Sequence, residues 1–275
     1  MNLPAQVMLL LYLGCSFVSA DIIIKGSDTL GAKMVPQLVE AYKKLYPKSE
    51  FEITAEGSNT CFTALLEGTC DIGMASRLVK ARELSFFQDK GLVLQEHVVA
   101  YDIIAVVVNE KNPIHQLTLK QVEQIFTGKI TSWKELGAKG VINVYTRNTS
   151  SGTYKTFQKL AMRGKDYGKN TQKIGGRFHP MNAIAPDNQS IGYCGLAYAK
   201  TKGIRPLKIN KVEPVAQNAQ SYPLSRNLYF YTVGELRDDT KLFVEWVKKS
   251  SESHKIIESV GFAPLQIKDV EKIVR

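Results

Sequence analysis

Apolar residues along this chain follow two alternating rhythms. Ile22-Ile23-Ile24 is a β-branched run closed by Lys25-Gly26, which predicts a short buried strand. After a cap-like Ser27-Asp28-Thr29, residues Leu30, Met34, Leu38, Ala41 and Leu45 recur at helical spacing until Tyr46-Pro47 stops them. Phe51-Glu52-Ile53-Thr54-Ala55 alternates as a strand, Gly57-Ser58-Asn59-Thr60 reads as the next loop and cap, and a short helix through Ala64-Leu65-Leu66 ends at Gly68. Asp71-Ile72-Gly73-Met74-Ala75 is a third strand, ending at Ser76-Arg77. Strand, helix, strand, helix, strand at such short spacing predicts a parallel sheet.

The pattern then lengthens. Residues 93–99 read as a strand, and 101–108 form the longest β-branched run, a strand expected to pass between two domains. Thr118 caps a helix with Val122, Ile125 and Phe126 on one face. Residues 141–145 read as a strand, followed by a hydroxyl-rich loop and a helix through Phe157 and Leu160. Residues 191–198 look like a strand turning back toward the first domain; 207–209 and 228–231 are late strands, and helices near 241–248 and 253–259 close the chain. The expected fold is α/β and two-lobed, each lobe a mostly parallel sheet flanked by helices, with crossings near 100–106 and 196–204. One lobe comprises 21–100 with 205–275, the other 101–204. Two lobes joined in this way enclose a cleft, a preferred place for a ligand.

Residues 1–20 stand apart from this pattern. Leu9-Leu10-Leu11-Tyr12-Leu13 is apolar, the first charge is Asp21, and Val18-Ser19-Ala20 ends the stretch with small residues. This predicts a signal peptide, although one without Lys or Arg, and a periplasmic or extracellular product. Cys15 after Leu13-Gly14 offers lipoprotein processing as the alternative. No later segment has 18 uninterrupted apolar residues, so no membrane span is expected. Cys61, Cys70 and Cys194 remain after such a leader. The helix read between the first two would hold them roughly 13 Å apart, beyond the about 7 Å a disulfide tolerates, so free thiols are expected. No Cys/His spacing suggests a metal, and no cofactor is expected.

The 275 residues carry a formal net charge of +10 with pI near 9.3. Basic residues are scattered rather than interleaved with aromatics, which argues against nucleic acid and favours a small anion. Four loops share one chemistry: Gly26-Ser27-Asp28-Thr29, Gly57-Ser58-Asn59-Thr60, Ala75-Ser76-Arg77 and Arg147-Asn148-Thr149-Ser150-Ser151-Gly152-Thr153. Each follows a strand, and in a parallel sheet such loops gather at the carboxyl ends, where open α/β folds bind ligands. Helix starts there offer unpaired N–H groups and partial positive charge. Small residues let that backbone approach an anion, and Arg77 and Arg147 supply guanidinium forks matched to a tetrahedral oxyanion. Any single Ser or Thr here is equally explained as a helix cap, and Arg77 as a surface ion pair. Asp28 either caps the helix or accepts a hydrogen bond from a protonated ligand. Phosphate carries such a proton and sulfate does not, so an aspartate would discriminate between them.

Several segments, in this order, resemble a known family. They are Gly26-Ser27-Asp28-Thr29-Leu30, Gly57-Ser58, the strand ending Ala75-Ser76-Arg77, Ile125-Phe126-Thr127-Gly128-Lys129-Ile130-Thr131-Ser132-Trp133, Ser151-Gly152-Thr153 after Arg147, and Ile191-Gly192-Tyr193-Cys194-Gly195. Together they are similar to the phosphate-binding proteins of phosphate-specific ABC transporters, which have a type II periplasmic binding fold. The resemblance implies capture of inorganic phosphate by a monomer and delivery to ABC permease membrane subunits. It implies contacts at Asp28, Thr29 and Leu30, at Ser58, at Ser76 and Arg77, and at Arg147, Ser151, Gly152 and Thr153. One departure stands out: Ser76 occupies a position where a form of the family pattern has a proton-accepting aspartate, leaving Asp28 as the candidate acceptor.

Other readings stay open. A receptor for sulfate, molybdate or tungstate would have the same fold, and so would a phosphate-sensing or adhesion protein. An enzyme is disfavoured: G-x-S-x-G and the P-loop spacing are absent, and none of His97, His115, His179 and His254 lies in the four loops.

Overall fold

The computed structural model describes residues 21–147, 149, 152–174 and 181–265. The chain opens with β1 (Ile22–Gly26), α1 (Asp28–Gly31), α2 (Met34–Leu45), β2 (Phe51–Ala55), α3 (Ser58–Leu66), β3 (Ile72–Ala75) and α4 (Ala81–Asp89); the single helix read over Leu30–Leu45 is split in two, and α4 is a helix the sequence pattern did not single out. β4 (Leu94–Asn109) follows, then β5 (Gln116–Leu117), α5 (Leu119–Phe126), β6 (Asn143–Arg147), α6 (Gly152–Met162), β7 (Thr171–Ile174), α7 (Met181–Ile184) and β8 (Ser190–Gly195). The chain ends with β9 (Ile204–Pro206), β10 (Lys208–Ile209), β11 (Ser225–Val233), α8 (Asp238–Lys249), α9 (Ser251–Ser259) and β12 (Ala263–Pro264).

The strands form one path, β2-β1-β3-β11-β4-β8-β6-β7, with β9 and β12 also on β4 and a separate β5-β10 pair. β1, β2 and β3 are parallel, as are β6, β7 and β8. β4 is what joins the two groups. The runs 93–99 and 101–108, read from sequence as two strands, form one 16-residue strand. Its first part pairs antiparallel with β11, from Leu94↔Val233 to Ile103↔Ser225, and Ile104–Val108 pairs with β8. Burial of every side chain from Val99 to Asn109 explains the continuous run: both faces of this strand are covered.

Two main cores result, each fed by one half of the sheet. Ile22, Ile24, Leu38, Ile72, Phe230 and Phe243 belong to the first, and Val106, Val108, Phe126, Trp133, Phe157 and Tyr193 to the second. Full burial of each such side chain contributes about 1.5–3 kcal/mol. Residues 205–224, assigned from sequence to the first lobe, bury Leu207, Ile209, Tyr222 and Leu224 in the second core. β9 pairs with the far end of β4, and the chain re-enters the first core only along β11, at Leu228 and Phe230. Cys61, Cys70 and Cys194 are free thiols. None of the helices among the described residues is long and apolar enough to cross a membrane.

The seam between β4 and β11 holds His97, whose Nε2 lies 2.9 Å from Thr232 Oγ1. Burial, helped by nearby Lys248, pushes its pKa from 6.5 down to about 4. The unfolded chain takes up this proton below pH 6.5 and the folded chain does not. Stability present above pH 6.5 is therefore lost as the pH falls toward 4. The expected loss from this ring is roughly 2 kcal/mol, allowing for its partial solvent contact. Urea unfolding at pH 7 and pH 4.5 checks it: His97→Gln should flatten that limb of the profile.

Candidate functional site

The carboxyl ends of β1 and β6 face one another across a cavity of about 360 Å³. Asp28 and Thr29 line it from one side, Arg147 and Thr153 from the other, and Asp102 and Arg226 from the joining strands β4 and β11. The first loop is shaped by Gly26 (φ +135°), whose carbonyl accepts from the amides of Glu56 (2.9 Å) and Gly57 (2.8 Å). Ser27 caps α1 by accepting from the Thr29 amide at 3.2 Å, so the capping role belongs to Ser27 and leaves the Asp28 carboxylate at the cavity. Leu30 is fully buried in the first core. Any contact it makes with a ligand must come from its backbone.

Arg147 ends β6 and Gly152 begins α6, whose first-turn amides have no partner within the helix. A buried polar chain holds this corner. Thr146 Oγ1 lies 2.5 Å from the Tyr193 hydroxyl, itself 2.9 Å from the Tyr167 hydroxyl, which donates to the Tyr154 carbonyl at 3.1 Å. Phe157 stacks on Tyr193 with centroids 3.8 Å apart, fixing α6 against β8. Ser151, predicted from sequence at this corner, lies outside the described residues.

The remaining candidates form a shelf beside the cavity. Ser58 Oγ accepts from the Ser76 amide at 3.1 Å and lies 3.3 Å from Ser76 Oγ, joining the second and third loops. Arg77 is already committed. Its guanidinium donates to both carboxylate oxygens of Glu83 (2.8 and 2.7 Å), to Asn59 Oδ1 (2.6 Å) and to the Leu78 carbonyl (2.9 Å), and lies over the Phe62 ring. The second guanidinium lining the cavity is that of Arg226, which the sequence did not single out. Arg226 Nε donates to Asp102 Oδ2 at 2.9 Å, and its Nη2 to Thr29 Oγ1 at 3.4 Å. One side chain thereby ties the first loop to both joining strands. Asp102 did carry a sequence signal, as the lone charge among residues 98–108. Nothing in sequence links it to Arg226, 124 positions away.

A profile of the PBP superfamily domain matches residues 16–251. The phosphate-binding protein PstS of Pseudomonas aeruginosa is 33% identical over 289 residues, covering 96% of this chain and 89% of the relative. The chain belongs to the PstS family within the PBP superfamily. PstS of Bacillus subtilis is 30% identical over 258 residues, covering 90% of this chain and 81% of its own length. Among solved structures, an ABC-type phosphate transport receptor from Vibrio cholerae superposes with a TM-score of 0.76 at 27% identity, covering 90% of this chain and 100% of its own. A chain described as a phosphate ABC transporter substrate-binding protein with bound phosphate, from Clostridium perfringens, gives 0.63 at 30% identity, covering 90% and 100%. The two-lobed type II fold expected from sequence is therefore the fold of this PstS member.

In this PstS chain the Asp102–Arg226 pair sits at the join, with side chains 12% and 21% exposed. Arg226→Ala should leave the carboxylate without its counter-ion and cost about 1.5–3 kcal/mol of stability. Asp102→Asn with Arg226→Ala should recover part of that loss, because the stranded charge is gone. A denaturant double-mutant cycle measures it; additive losses would show that the pair does not act as one unit.

Proposed function

We propose that this protein captures inorganic phosphate in the cavity between the two sheet halves and delivers it to an ABC importer. The observation that carries the reading is the convergence of Asp28, Thr29, Arg147, Thr153 and Arg226 on one cavity, from segments spread over the whole chain. Two guanidinium groups and the amides of α6 supply positive charge and directional donors. The PstS relatives and the phosphate-bound chain from Clostridium perfringens support phosphate as the guest. Ser58, Ser76, Ser151, Gly152 and the Leu30 amide complete the proposed shell, and Arg77 holds the shelf through Glu83 rather than touching the ion.

The cavity has room for on the order of ten waters at about 30 Å³ each, more than one tetrahedral ion displaces. Capture thus includes closure, with the sheet halves turning about β4 and β11, where the lobes would divide. As in a receptor of this family, the ion is bound, carried and released. The receptor acts outside the cytoplasm, as a monomer.

Asp28 provides selectivity. Its carboxylate accepts a hydrogen bond from the hydroxyl of hydrogen phosphate, whereas sulfate would set two negative groups against each other. Calorimetric titration with phosphate, sulfate and molybdate tests the reading. Phosphate should bind at one site and sulfate should not compete, and Asp28→Asn should narrow the difference. Tight sulfate or molybdate binding with no phosphate binding would overturn it.

A further inference from the structure

The cleft does not end at the phosphate cavity. Past Arg226, which lines both spaces, it opens into a second chamber of about 610 Å³ that begins at Ser76 of the proposed phosphate shell. Five cationic side chains border this chamber: Arg77 and Lys80 between β3 and α4, Lys155 and Lys159 on α6, and Arg226 on β11. They come from both sides of the cleft, and no carboxylate is among the lining residues.

Two of the five are balanced, Arg77 by Glu83 and Arg226 by Asp102. Lys80, Lys155 and Lys159 make no ion pair among the described residues. Lysines without an ion pair are common among the described residues, so what sets these three apart is their shared place around one chamber that no carboxylate lines. Lys155 and Lys159 stand one helical turn apart, where like charges repel unless an anion lies between them. Ordinary solvated lysines need no arrangement across a cleft, and such an arrangement raises the positive potential inside it.

We propose that this chamber holds the second and later phosphoryl groups of a condensed phosphate, so that the protein takes pyrophosphate and tripolyphosphate as well as orthophosphate. The inference rests on the phosphate reading above. One terminal phosphoryl group occupies the first cavity with Arg147 and Thr29, Arg226 spans the junction, and Lys80, Lys155 and Lys159 meet the remaining groups. Each added phosphoryl group brings further charge and acceptor oxygens, which ammonium groups bind as mobile point charges without a fixed fork.

The test is calorimetry on the full chain with orthophosphate, pyrophosphate and tripolyphosphate, alone and in competition, for the natural protein and for Lys155→Gln with Lys159→Gln. Both lysines are exposed, so these substitutions leave the core untouched. Tripolyphosphate should bind one to one and displace orthophosphate. The double variant should weaken tripolyphosphate by roughly tenfold or more, while orthophosphate should change less than about threefold. Three results would overturn the proposal: tripolyphosphate that fails to displace orthophosphate, binding at several sites as surface charge would give, or equal losses for the two ligands. If the natural protein bound no orthophosphate at all, the phosphate reading itself would fall.

Discussion

Arg147→Ala should weaken phosphate binding by roughly 30-fold to several thousandfold, the equivalent of about 2–5 kcal/mol. The residue ends β6 and lines the cavity opposite Asp28 and Thr29. Its backbone is held by the parallel pairing of Arg147 with Ile174, and the neighbouring Thr146–Tyr193–Tyr167 hydroxyl chain fixes the strand end. Removing the guanidinium therefore leaves the corner standing but takes away one of the two forks proposed for the ligand. Arg147→Lys should recover only part of the affinity, since an ammonium keeps the charge and loses the fork. Calorimetry reads the affinity, and a thermal melt without ligand separates binding from folding. Unchanged affinity with an unchanged melting temperature would falsify the assignment of Arg147 to the anion.

Gly26→Ala should destabilise the fold by at least about 3 kcal/mol, the top of the range for a strained backbone, because a clash adds to the strain. Gly26 lies at φ +135°. A Cβ there would meet the Met74 carbonyl oxygen at 2.2 Å and Cys61 Cβ at 2.7 Å, both fixed by β3 and α3. The same backbone joins three of the binding loops. The Gly26 carbonyl accepts from the second loop, and the next amide, that of Ser27, donates to Met74 at the end of β3. The loss should appear as a fall in melting temperature of roughly 6–12 °C or more, with phosphate affinity falling as well. Gly68→Ala is the control. Gly68 also has positive φ (+67°), but nothing stands within 4 Å of its added Cβ, so about 1 kcal/mol is expected. Equal effects at the two positions would mean that crowding at Gly26 plays no part.

These predictions depend unequally on sequence and on structure. Arg147 was legible because three hydroxyls and a glycine crowd the four residues after Ser150's neighbour Thr149, far more than one helix cap needs. Arg77 had the same local appearance, a guanidinium at a strand end, yet it is spent on Glu83, six positions later on α4. A guanidinium carries no mark of its partner in sequence. Whether it meets a ligand or a carboxylate depends on where the next helix aims its first turn.

The alternation of β-branched runs and helical spacing was by itself enough to set the opening order of β1, β2 and β3 with helices between them, and their parallel pairing. Side-chain period and caps are local properties, and local properties are written in consecutive residues. Tertiary structure alone decided that the two apolar runs around Ala100 form one strand, that residues 205–224 pack on the second core, and that Arg226 rather than Arg77 stands with Arg147 at the cavity. Apart from Arg77's local pair with Glu83, those outcomes depend on contacts between segments far apart in the chain. Their geometry is set by how the two sheet halves share β4, and no window of sequence contains both partners.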